Sequence, residues 1–201
     1  MPKLPGIFCL EGDWSDLLTD RTTIEPQLRM LENMRQAEVI HRDVATREEL
    51  SYHLVKWSQK RYASYSLAYL AFHGRSGRLY LGHDEVTLAE LAEIAGPRLA
   101  GRTVYFGSCS VMAANDQELM AFCRDTGAKA VVGYTKVIDW LEAAAFDFIL
   151  LPKLLNATFV KPILPGLRRD HERFVVGLGL RIATKTWCTD RKLALDAAPG
   201  S

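Results

Sequence analysis

Apolar residues in this chain fall into short unbroken runs that alternate with stretches of helical spacing. The runs "GIFCL" (6–10), "AEVIH" (37–41), "SLAYLAF" (66–72), "RTVYFGS" (102–108) and "KAVVGY" (129–134) have strand length. "SLAYLAF" is apolar throughout, as a central parallel strand covered on both faces should be. Between the runs, "IEPQLRMLENM" (24–34) places Leu28, Leu31 and Met34 on one helix face, with Pro26 near the start, where proline suits a helix. Thr46 and Glu49 have capping-box spacing ahead of a helix that turns Leu50, Leu54 and Trp57 inward. Thr87 and Glu90 open another helix through Ile94, and "NDQELMAFCRD" (115–125) reads as a further one. Asp139 and Glu142 bracket the start of "DWLEAAAFDFILLPKLL" (139–155), where Pro152 is expected to kink or end the helix.

"RLYLGHDEVTL" (78–88) alternates around a turn and predicts a small hairpin. "KPILPGLRRDHERF" (161–174) reads as the one loop-rich stretch and "VVGLGLRIAT" (175–184) as a last strand. Residues 190–201, ending "LDAAPGS", are expected to be a disordered tail. The alternating order predicts a single α/β domain over 1–201. It has three α/β/α layers, a doubly wound and mostly parallel sheet, and right-handed crossovers. In such sheets the site lies beyond the carboxyl ends of the strands. Here successive runs lead to Glu11, His41, His73, Cys109 and Tyr134.

Composition narrows the picture. The 201 residues are 48% hydrophobic, enough for a sizeable core, and 25 basic against 24 acidic residues leave a formal charge of +1. That balance gives no reason to expect nucleic acid or an anionic membrane surface as partner. No run approaches the roughly 20 apolar residues of a membrane span, because Asp147 interrupts the longest. The apolar stretch at the N-terminus is too short for a signal peptide, so a cytoplasmic protein is expected. Cys9, Cys109, Cys123 and Cys188 form no CxxC, and all but Cys109 read as buried free thiols. His41, His73, His83 and Cys109 offer no close-spaced ligand pair, so neither a metal nor a cofactor is expected. "GLGLR" (177–181) lacks the spacing of a dinucleotide loop, and the arginines of "GLRRDHERF" read as a solvated face.

His73 and Cys109 are separated by one hairpin and one crossover helix. If their strands are neighbours, the strand ends lie about 5 Å apart, within one cleft. A free cysteine is only slightly ionised at neutral pH, and an adjacent imidazole raises the thiolate fraction that attacks a carbonyl. Gly74, without a Cβ, can bring its N–H to a substrate oxygen, and with the Cys109 N–H would form an oxyanion hole.

Together "LAFHG" and "YFGSCS" resemble the motifs of the caspase-like cysteine peptidases of clan CD. That group contains caspases, gingipains, legumain, separase and bacterial CHAT-type proteases. The resemblance spans roughly residues 6 to 151 in element order, and "GIFCLEG" with "RYASYSLAYLAFHG" is similar to a small bacterial branch. It implies a main-sheet strand order of 2-1-3-4-5-6, Cys109 as nucleophile, His73 as general base and Gly74 as oxyanion donor. It also implies that Glu11, Asp13 and Trp14, with Tyr134, Asp139 and Trp140, wall the pocket for the residue before the scissile bond. Carboxylates there suit a lysine or arginine, so cleavage after a basic residue is expected. The implied partner is a protein or peptide substrate, with a homodimer or an activating protein left open. The alternative is a non-catalytic interaction module on the same fold.

Overall fold

The computed structural model describes residues 4–190, and the 191–201 part of the expected tail lies outside them. Its main sheet contains β1 (Gly6–Glu11), β2 (Glu38–Asp43), β3 (Tyr65–Ala71), β7 (Thr103–Phe106), β8 (Ala130–Tyr134) and β9 (Leu180–Ala183). The order is β2-β1-β3-β7-β8-β9. The first five strands are parallel, and β9 closes the edge antiparallel to β8. A second sheet is the three-stranded meander β4 (His73–Arg75), β5 (Arg78–Leu81) and β6 (Asp84–Thr87). The expected hairpin is therefore present, with His73 and Gly74 added to it as a third strand.

Strand alternation sends side chains to two separate cores. Phe8, Leu10, Leu70, Val104 and Phe106 pack beneath α2 (Arg47–Trp57), α3 (Leu88–Ala95) and α4 (Asp116–Thr126). Ile7, Cys9, Leu67, Tyr69, Tyr105 and Val132 face α1 (Glu25–Asn33), α5 (Trp140–Asn156) and α6 (Ile163–Gly177). The result is an α/β fold with helices on both faces of a mostly parallel sheet. No helix among the described residues is long and apolar enough to cross a membrane.

Helix starts follow their caps. Thr87 and Glu90 form a complete capping box, and so do Asn115 and Glu118. At α2 the box is half made: Thr46 accepts from the Glu49 N–H, but the Glu49 carboxylate takes the Ala45 N–H instead. Three expectations are corrected. Met34 caps α1 and is exposed rather than sharing the buried face of Leu28 and Leu31. Helix α5 does not end at Pro152 but continues to Asn156. The stretch expected as loop is α6, which runs on through Val175 and Val176 and leaves only Leu180–Ala183 as strand. Pro165 falls in the first turn of α6, where a missing N–H costs nothing. Leu164, Leu167 and Val175 bury its inner face, and His171 absorbs a kink with φ −140°.

Candidate active site

Strands β3 and β7 are paired neighbours, so their exits lie side by side. Beyond Phe106 the chain is sewn to β3 by the Gly107 N–H on the Leu70 carbonyl (3.0 Å). The Ser108 hydroxyl adds to this, accepting from the Phe72 N–H and donating to the Leu70 carbonyl (both 3.2 Å). Cys109 follows, half-exposed, and Ser110 turns the chain in the left-handed region (φ 56°), with its N–H on the Lys136 carbonyl (2.9 Å). The Cys109 N–H lies between these two anchored amides and is bonded to no acceptor among the described residues. A left-handed non-glycine residue stores strain of the kind found at active sites.

His73 is exposed where β3 passes into the meander. Its Nε2 lies 2.9 Å from the Trp14 carbonyl. A carbonyl only accepts, so Nε2 carries the proton and Nδ1 is left as the basic nitrogen. The Trp14 ring stands edge-on to the His73 imidazole (5.2 Å between centroids) and to Trp140 (4.8 Å). Gly74 pairs with Leu79 in the small sheet. A Cβ on Gly74 would sit 2.5 Å from Val111 Cγ2 and 2.7 Å from the Cys109 carbonyl oxygen. Glycine at this position is what lets the two motifs close on one another.

His73 and Cys109 line the same cavity, about 170 Å³ in volume. Of the six residues expected to select substrate, Trp14, Tyr134 and Trp140 also line it. The three carboxylates do not. Glu11 is buried and fully engaged: Trp14 Nε1 (2.5 Å) and the Ile24 N–H (2.8 Å) donate to one oxygen, Thr23 Oγ1 (2.7 Å) and His41 Nε2 (2.5 Å) to the other. Burial works to raise the Glu11 carboxyl, but the donors, His41 first, outweigh it and hold the group below its usual value. Burial likewise opposes charge on His41, and Glu11 overcomes it and raises the imidazole. Asp13 is exposed in a neighbouring groove. Asp139 caps α5, accepting from the Leu141 and Glu142 N–H groups (both 2.9 Å). Glu11 thus acts on the site through Trp14, whose ring and carbonyl it places beside His73.

The cavity's carboxylate is Asp147, which the sequence reading used only to exclude a membrane span. Tyr69 (2.7 Å) and Gln27 (3.1 Å) donate to its Oδ2, and Tyr105 (2.5 Å) and Tyr134 (3.3 Å) to its Oδ1. One sequence signal pointed there. Tyr69 and Tyr105 precede His73 and Cys109 by the same interval on paired strands, and so face the same side of the sheet. Gly107 makes room for the Tyr69 ring, which a Cβ there would meet at 2.3 Å.

All four thiols are free. Burial raises Cys9 well above the usual thiol value, Cys123 to about 12 and Cys188 to about 11. Glu11, His41 and Asp43 bring potential metal-ligating atoms within 4.8 Å of one another. The four donors on Glu11 leave its oxygens no room for a cation without dismantling the Trp14 loop, so this group reads as a buried ion pair. No curated protein matches the chain. A family model does match residues 5–182, and the chain belongs to that family, described as "Family of unknown function (DUF6642)".

Proposed function

We propose that this protein is a cysteine endopeptidase of the caspase-like type, with Cys109 as nucleophile and His73 as its proton acceptor. One observation carries the reading: His73 and Cys109 leave adjacent parallel strands and line one cavity, with the histidine tautomer fixed by the Trp14 carbonyl. The sheet order β2-β1-β3-β7-β8-β9 is similar in kind to that of the caspase-like group and adds support.

In the reaction, His73 Nδ1 takes the thiol proton and the sulfur attacks the peptide carbonyl carbon. The Cys109 N–H, together with that of Gly74, is the donor proposed for the resulting oxyanion. Collapse breaks the C–N bond, His73 returns the proton to the departing amine, and a thioester remains. Water, deprotonated by His73, then cleaves the thioester and restores the thiol. The substrate is a protein or peptide, since the cavity takes a single side chain and leaves the chain on either side to run over the surface.

Iodoacetamide labelling tests the reading, because alkylation follows thiolate character and access. Cys109 should react at least tenfold faster than Cys9, Cys123 or Cys188, and His73→Ala should slow Cys109 alone. Equal, sluggish labelling of all four thiols would leave a non-catalytic module on this fold as the correct description.

A further inference from the structure

We propose that the cavity beside Cys109 receives a cationic side chain, lysine or arginine, and that Asp147 supplies its countercharge. The inference depends on the peptidase reading only for naming the occupant as the residue before the scissile bond. The pocket chemistry stands apart from it.

Asp147 is the starting point. It lies on the otherwise apolar inner face of α5, among Phe146, Leu150 and Leu151, and is 2% exposed. Its four donors are three tyrosine hydroxyls and an amide, none of them charged. A carboxylate buried without a cation is costly even when hydrogen-bonded, and a core gains nothing from one that leucine could replace. Among the described residues the charge lacks its counterpart, and the open volume next to it is where a counterpart can enter.

The shape agrees. Exposed His73 and Trp140 mark the mouth of the cavity, and buried Tyr69, Tyr134 and Asp147 mark its floor. At about 170 Å³ it falls below the roughly 300–1,000 Å³ of cofactor and drug-sized sites, and suits one side chain. Trp14 and Trp140 stand where they can flank an aliphatic stem or face a guanidinium. The two longest contacts to Asp147, from Tyr134 (3.3 Å) and Gln27 (3.1 Å), come from residues that line the cavity, and an incoming donor can share or displace them. An acidic side chain would meet like charge, and an apolar one would leave Asp147 uncompensated. The basic preference expected from Glu11, Asp13 and Asp139 thus returns on a different residue.

The test separates pocket from chemistry. n-Butylguanidine, an arginine side chain without a backbone, is titrated against n-butylurea, its neutral isostere, by calorimetry. The guanidine should bind at least tenfold more tightly, and Asp147→Asn should bring the two within twofold. Equal binding of the two by the wild-type chain overturns the proposal, even if the Asp147 variant does not fold. Fluorogenic peptides differing only in the residue before the leaving group then complete the comparison. Cleavage after an acidic or small residue, with the guanidine ignored, removes this inference and leaves the peptidase reading intact. Tenfold guanidine preference with a sluggish Cys109 removes the peptidase reading and keeps the cation pocket.

Discussion

Replacing Arg181 with methionine should loosen the segment that carries Cys109. Arg181 comes from β9 and is fully buried. Its Nη1 donates to the Met112 (2.7 Å) and Ala114 (2.6 Å) carbonyls, and its Nη2 pairs with Asp116. These are the residues of the turn just after Cys109 and the first residue of α4. Methionine keeps much of the aliphatic volume and removes every donor. Hydrogen bonds from a charged donor contribute about 1.5–3 kcal/mol each, so two lost bonds amount to roughly 3–6 kcal/mol. Against this, Arg181 Nε has no acceptor among the described residues. Removing a buried orphan donor returns about 1–3 kcal/mol. The Asp116 side chain is 56% exposed and goes back to water, so its ion pair adds little. Taking the middle of each range, the expected net loss is about 2–3 kcal/mol. Urea unfolding at constant m measures it directly. A midpoint shift worth under about 1 kcal/mol would refute the assignment of Arg181 as the anchor of this turn.

Two further predictions follow from the same geometry. Gly74→Ala puts a methyl group 2.5 Å from Val111 Cγ2 and 2.7 Å from the Cys109 carbonyl. It should cost about 1–3 kcal/mol and remove the dependence of Cys109 labelling on His73; retention of both stability and coupling would contradict the close approach. Burial pushes Asp147 up to about 6 from an ordinary 3.8, against the lowering by Tyr105, Tyr69, Tyr134 and Gln27. The folded chain therefore holds this proton where the unfolded chain has released it, and stability contributed by the group falls as pH rises from 3.8 to about 6. A rise of that size corresponds to about 3 kcal/mol, so Asp147→Asn should lack this loss; parallel urea-midpoint profiles for the two proteins across that range would exclude it.

The sheet and the shared placement of His73 and Cys109 were legible because their signals are local. A strand buried on both faces must be apolar throughout, and the residue that ends the run must be where the chain leaves the core; "YLAFH" and "YFGSC" meet both conditions. The pocket carboxylate was not legible for the opposite reason. A lone acid in "AAAFDFILL" has no periodicity, and its four donors come from β3, β7, β8 and α1, which only the fold brings together. Glu11 and Asp139 occupy the strand and helix ends that sequence reasoning favours. Backbone and side-chain donors close by take up their oxygens, so a rim position alone does not aim a carboxylate into a cleft. Helix α6 was hidden by Pro165, Gly166 and a run of charge. Its evidence is the spacing of Leu164, Leu167 and Val175, interrupted by the kink at His171.

The sulfur and the imidazole are carried by different sheets. Cys109 follows β7 of the main sheet, whereas His73 begins the three-stranded sheet that follows β3. Across the gap, the Gly77 N–H grips the Val111 carbonyl at 3.0 Å, and Gly74 rests against the Cys109 carbonyl. Leu79, Leu81 and Val86 of the small sheet are buried in the same core as Phe106 and Val111, so one packed interior sets where the imidazole stands relative to the sulfur. A substitution that thins this shared packing, such as Leu79→Ala, would therefore loosen the spacing of His73 and Cys109 without touching either residue.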